Sequence, residues 1–183
     1  MNVTPDLDAR FRAAALAAGL VDVRFDIVPS PVGDLFLAAT SKGLCRISFT
    51  PDSAEEDVAR TFGVKMLRLP LDTIRRELDE YFEGKRHTFD LALDLRVAAF
   101  NEAVLHELAR VPYGRVETYG GLAAKVGRPK AARAIGTVMN RNPIPIVLPC
   151  HRIIGANGSL TGYAGGLPVK QALLDLEGAT LPL

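Results

Sequence analysis

Between residues 23 and 49 the apolar positions fall in three short runs rich in β-branched and aromatic residues: Val23–Ser30, Gly33–Thr40 and Gly43–Phe49. Pro29, Pro31, Gly33 and Ser41-Lys42-Gly43 part them, a punctuation that predicts an antiparallel meander of two tight hairpins. Cys45 alternates with Leu44 and Ile47 in the third run, which marks it as a packing residue. Beyond Phe49 the spacing becomes helical. Asp52–Phe62 has an acidic first turn, and Leu71–Phe82 sets Leu71, Ile74, Leu78, Tyr81 and Phe82 on one face with Gly84 as its stop. Phe100–Leu108 carries Phe100, Val104, Leu105 and Leu108 on its apolar side. Thr118 can cap a helix through Val126, Gly127-Arg128-Pro129 breaks it, and a second helix runs from Lys130 to about Arg141, which together make a helix-turn-helix. A last helix is opened by Pro168 and stopped by Gly178. Thr4 as cap, Pro5 at the first helical position and Gly19 as stop predict a peripheral helix at the N-terminus.

The expected fold class is therefore α+β. A small domain over residues 22–95 has a three-stranded antiparallel sheet and helices, a mostly helical domain follows over 96–183, and residues 1–21 are a helical extension. The boundary falls near Arg96, where the alternating run ends.

With 183 residues, 48% of them hydrophobic, the chain can build one large or two small cores. Two cysteines, Cys45 and Cys150, make no disulfide framework and suit a reducing, cytoplasmic setting. His87, His106 and His151 lack metal-ligand spacing with either of them, so no metal is expected. Ala13–Val21 is too short and too weakly apolar for a membrane span, and Asp6 and Asp8 sit where a secretory signal carries positive charge.

Charge changes the picture more. The net charge is +1, yet Arg110–Arg152 holds eight basic residues (Arg110, Arg115, Lys125, Arg128, Lys130, Arg133, Arg141, Arg152) against Glu117 alone, leaving +7 there and −6 elsewhere. A basic segment on an otherwise acidic chain fits a phosphate-contacting footprint. The second helix of the pair shows a small face, Ala131, Ala132, Ala134 and Gly136, which suits either a groove floor or a neighbouring helix.

The candidate chemistry lies in Asn142–Gly166, where Cys150 follows an apolar run and precedes a loop containing Gly155, Gly158, Gly162, Gly165 and Gly166. A thiolate, not a thiol, is the nucleophile, and His151 and Arg152 are the nearest groups that could help it form. Neighbouring side chains on a strand point to opposite faces, so a turn after Pro149 or a bridging water is needed. A free cysteine is also a common small core residue.

Pro149-Cys150-His151-Arg152, with Asn142-Pro143-Ile144-Pro145 before it and Thr161-Gly162-Tyr163-Ala164-Gly165-Gly166 after it, resembles the active-site signature of the O6-alkylguanine-DNA alkyltransferases. Ser30–Leu35 and Tyr81-Phe82-Glu83-Gly84 are similar to that family's first hairpin and domain passage. The resemblance implies a ribonuclease H-like first domain and a winged-helix-like second one. It implies that Cys150 takes the alkyl group, that His151 acts on it through a water, that Glu177 orients His151, and that Asn142 is the hinge below the recognition helix. Arg133 would replace an extruded nucleotide and Tyr119 would crowd its phosphate, with Arg128, Lys130, Ala132, Ala134 and Arg152 completing the DNA contact. Met139, Pro145 and Tyr163 would line the guanine pocket beside Ala164 and Gly165.

The implied partner is double-stranded DNA containing O6-alkylguanine, with O4-alkylthymine as a second substrate, met by a monomer that uses no cofactor and no membrane. The chain departs from the pattern at Leu105, where tryptophan is common, and at Ala164, where several relatives have serine. A lesion-flagging relative would lack the cysteine. A cysteine hydrolase would leave the basic helix-turn-helix unexplained.

Overall fold

Every residue of β2 (Leu35–Thr40) is buried, because both faces of this central strand are covered. The structure, a computed structural model, describes residues 5–180, and the expected cap Thr4 lies outside them. Alternation assigns Leu35, Leu37 and Ala39 to one face, in a core shared with the helical half, and Phe36 and Ala38 to the other, with Ala54 and Val58. Those last two come from α2 (Pro51–Phe62). β1 (Val23–Val28) and β3 (Gly43–Ser48) flank β2 in antiparallel register, the expected meander.

The sheet has four strands, not three, in the order β3-β2-β1-β4. β4 (Met66–Arg68) pairs parallel with β1, Val23 opposite Met66. Three residues are too few to show alternation, and it is β1 that supplies their hydrogen-bond partners. In the β2-β3 ladder Ala38 faces Arg46 and Ala39 faces Leu44, so Cys45 is the extra residue of a bulge. The bulge turns Leu44 and Ile47, three apart, into the same core while Cys45 joins the cluster under α2.

α1 (Pro5–Ala17) precedes the sheet, and Gly19 beyond it takes positive φ. Phe11 stands 66% exposed on it, and the Arg12 guanidinium donates to the Arg68 carbonyl. α3 (Asp72–Phe82) buries Ile74, Leu78 and Tyr81. An extended passage then leads to α4 (Ala99–Ala109), bridging Leu93 to Leu44 on the way.

β5 (Glu117–Thr118) runs into α5 (Tyr119–Lys125), whose N-terminus is capped as expected by Thr118 Oγ1, accepting from the Gly121 amide at 2.9 Å. α6 (Ala132–Asn140) begins two residues later than its pattern suggests. The Ala131 amide closes a turn on the Arg128 carbonyl at 2.8 Å, so Pro129 and Lys130 belong to the connection. A 3-10 turn at Cys150–Arg152 leads into β6 (Ile153–Ile154), which pairs parallel with β5, and α7 (Leu167–Leu176) closes the domain. No helix among the described residues is long and apolar enough to cross a membrane.

Candidate active site

The segment before Cys150 is not a plain strand. Ile146, fully buried, takes φ 75°, a left-handed conformation that costs a β-branched residue on the order of 1–3 kcal/mol. Asn142 clamps both sides of this loop. Its side-chain amide donates to the Leu148 carbonyl at 2.7 Å and its oxygen accepts from the Ile144 amide at 3.1 Å. The Cys150 amide then bonds the Leu148 carbonyl at 2.8 Å, and the chain winds into the 3-10 turn. Cys150 and His151 are consecutive residues of that turn, which supplies the bend the sequence required after Pro149.

Cys150 is 3% exposed, and burial pushes its thiol up to about 11. The Asn142 side chain, the Lys170 charge and the backbone amides of Cys150 and His151 oppose that rise. At rest the sulfur holds its proton. His151 is fully buried, and desolvation lowers its affinity for a proton more than Glu177 raises it. Its Nε2 lies 2.8 Å from Glu177 Oε1, and its Nδ1 has no hydrogen-bond partner among the described residues. With Glu177 ionised, the proton sits on Nε2 and the Nδ1 lone pair is free.

Burial alone would raise the Glu177 carboxyl, but the hydrogen bonds from His151 and Arg152 override it and hold the group down to about 2. Arg152 donates Nε to Oε2 and an Nη to Oε1, each at 2.9 Å, and its other Nη to the Val111 carbonyl at 2.6 Å. The Gly114 amide adds a bond to Oε2 at 3.2 Å, and the Tyr81 hydroxyl one to Oε1 at 2.8 Å. A Cβ on Gly114 would stand 2.8 Å from the Glu177 carbonyl, so only glycine fits this approach.

Arg152 therefore corrects the expectation of a DNA contact: it is 5% exposed, and its guanidinium is spent on Glu177 and Val111. Lys170 is a residue the sequence did not single out. Wholly buried, its ammonium donates to the carbonyls of Ile153 at 2.5 Å and Thr161 at 3.1 Å, and desolvation lowers its pKa to about 8. It has no carboxylate partner among the described residues and is the cation that acts on Cys150. A lysine on an amphipathic helix gives no sign of this in sequence. Tyr81 was legible only as a core aromatic.

Met139 is buried, and Tyr163 packs its ring edge-on to His151 at 6.5 Å between centroids and against Phe49 at 5.6 Å. Pro145 and Ala164 share a cavity of about 120 Å³ with Asn142 and the Arg46–Thr50 segment, whereas Met139, Tyr163 and Cys150 do not line it. A Cβ on Gly165 would come within 2.9 Å of the Phe49 ring. The sheet domain thus walls one side of this region.

On the helix-turn-helix, Arg128, Lys130, Arg133 and Ala134 are exposed and Ala132 is half-buried. Lys125 is neutralised by Glu117 at 2.6 Å, and Arg110 pairs with Glu107. Arg115, Arg128, Lys130, Arg133 and Arg141 have no carboxylate within ion-pair distance among the described residues. Tyr119 lies under this face, its hydroxyl accepting from Thr161 Oγ1 at 3.0 Å. No cluster of potential metal ligands exists among the described residues.

Residues 99–179 match the family model of the 6-O-methylguanine DNA methyltransferase DNA-binding domain, and residues 23–95 that of its ribonuclease-like domain. The chain belongs to the 6-O-methylguanine DNA methyltransferase family. A methylated-DNA--protein-cysteine methyltransferase of Methanosarcina barkeri is 41% identical over 162 residues, covering 84% of this chain and 96% of the relative. The crystal structure of the Mycobacterium tuberculosis O6-methylguanine methyltransferase superposes with a TM-score of 0.77 at 38% identity, covering 87% of this chain and 95% of that one. The Mycobacterium tuberculosis protein solved in complex with DNA gives a TM-score of 0.75 at 38% identity, covering 85% and 92%. As a member of this family the chain is a DNA-binding repair methyltransferase with an α+β fold.

Proposed function

We propose that this protein repairs DNA by moving an alkyl group from guanine O6, and from thymine O4, onto Cys150, once per molecule and without a cofactor. The observation that carries the reading is the polar setting of one buried sulfur. The Asn142 side chain, two backbone amides and the Lys170 charge all favour its ionised form, and the adjoining His151 has an Nδ1 with no hydrogen-bond partner among the described residues.

The reaction is a displacement at carbon. The carbon-sulfur bond forms as the carbon-O6 bond breaks, and the thiol proton passes to His151 Nδ1 through a water. The departing guanine takes up a proton in exchange, with the Tyr119 hydroxyl on its side of the pocket. Because thiol and imidazole both rest neutral, ionisation of sulfur is coupled to the departure of the base, which protects the resting site from stray electrophiles. The thioether product has no good leaving group, so turnover stops there.

Unpaired cations on the helix-turn-helix face hold the phosphates without reading sequence. The protein, as a monomer, enters the minor groove with α6, Arg133 fills the gap left by the everted nucleotide, and Met139, Pro145, Tyr163, Ala164 and Gly165 surround the base.

The test is the intact mass after incubation with a duplex containing O6-methylguanine. One methyl should be gained, mapped to Cys150, and be absent from Cys150→Ser. Tight binding with unchanged mass would instead make the chain a lesion flagger. Arg133→Ala should slow repair of duplex far more than reaction with free O6-benzylguanine, and equal slowing would remove Arg133 from the extrusion step.

A further inference from the structure

Glu177 Oε1 takes three donors: His151 Nε2, one Arg152 nitrogen and the Tyr81 hydroxyl, the last from α3 of the sheet domain, 96 residues away. Tyr81 is fully buried, in edge and tilted contacts with Phe82 at 5.4 Å, Phe89 at 5.5 Å and Tyr113 at 6.1 Å between centroids. That aromatic box fixes the phenol, and the ionised carboxylate leaves it only the role of donor. Each donor on an oxygen draws off electron density that the others would use.

We propose that Tyr81 is a positioning residue for chemistry carried out in the other domain: by donating to Oε1 it limits the pull of Glu177 on His151 and keeps the imidazole neutral and available. This rests on His151 being the acceptor of the Cys150 proton. The groups facing His151 are Lys170 from α7 and Glu177 just beyond its end, Cys150 and Arg152 from its own turn, Tyr163 from the following loop and, through Glu177, Tyr81 from α3. Of these, Tyr81 alone belongs to the sheet domain, so the sheet domain sets the basicity of the site through one hydroxyl.

The experiment is a titration of the His151 ring by NMR in the full chain, with its signal assigned by comparison with His151→Gln. Tyr81→Phe should raise the His151 midpoint by about half to one pH unit, the worth of one modest hydrogen bond. A ring-fluorinated tyrosine at position 81 keeps the volume and the bond but donates more strongly, and should lower it, so the sign reverses even if the phenylalanine variant folds poorly. Phe89→Leu disturbs the same box without touching the hydroxyl and should leave the midpoint in place. An unmoved midpoint in both Tyr81 variants, or an equal shift in Phe89→Leu, overturns the proposal. Alkyl transfer is measured separately, its acid limb moving with the midpoint. Loss of all transfer in the wild type with the midpoints moving as described would sink the proposed function and leave this coupling standing.

Discussion

The two cysteines occupy sites that look alike by burial and differ in the charges set around the sulfur. Cys45 is 1% exposed and Cys150 3%, and in both desolvation is the largest influence on the thiol. Around Cys45 the Asp94 charge pushes the same way, and although the Arg96 and Arg46 charges and a backbone bond at Thr40 oppose it, the thiol is held up to about 12; it donates to the Ala38 carbonyl at 3.3 Å. Around Cys150 the neighbours are donors and a cation. Burial alone therefore separates no nucleophile from a core residue. What separates them is the Asp94 carboxylate, which works against the cations at Cys45 and has no counterpart among the influences on Cys150.

The sharpest way to break this comparison is to exchange the sulfurs. Cys150→Ser should abolish methyl gain from O6-methylguanine DNA, whereas Cys45→Ser should retain it; methyl label on Cys45 would end the distinction.

Next in size is the clamp behind the turn. Glu177→Gln leaves Arg152 buried without its counter-charge, a loss of roughly 3–5 kcal/mol, to be read from urea denaturation. The pH dependence follows from the same group. Its folded pKa is depressed to about 2, so its contribution is complete above the unfolded carboxyl value and disappears as pH falls from about 4.5 through 2. That loss is on the order of 3 kcal/mol, and Glu177→Gln should not show it.

A smaller effect is expected from the cation. Lys170→Met removes positive charge near the sulfur, and single-turnover transfer from O6-benzylguanine at neutral pH should slow on the order of tenfold, one unit of thiol pKa. A rate equal to wild type would show that sulfur does not feel Lys170. Smallest of all, Cys45→Ala should cost about 1 kcal/mol in thermal unfolding with transfer unchanged.

Much of the frame was legible from residues 23 to 178. The meander followed from proline and glycine breaks, and the caps at Thr118 and Gly178 from single residues, because hairpins and helix ends are decided by neighbours a few positions away. β4 escaped because its three residues become a strand only through β1. The start of α6 shifted because a turn bond from Ala131 to Arg128 competes with the helix.

Arg152 illustrates the deeper limit. Counted along the chain it joins a basic stretch, yet its partner stands at position 177 and turns it inward. Lys170 and Tyr81 are the same lesson with the sign reversed, ordinary helix residues in sequence that become part of the sulfur's and the carboxylate's surroundings.

The sequence by itself determined the family signature at Pro149–Arg152, the order of the elements and the basic stretch over Arg110–Arg152, since each is written in residue type and short spacing. The tertiary structure alone decided that five bonds from three separate stretches converge on Glu177, and that the sulfur rests protonated among donors. The reason is that a buried charge is stable only where distant segments bring it enough partners, and no local pattern records which segments will meet.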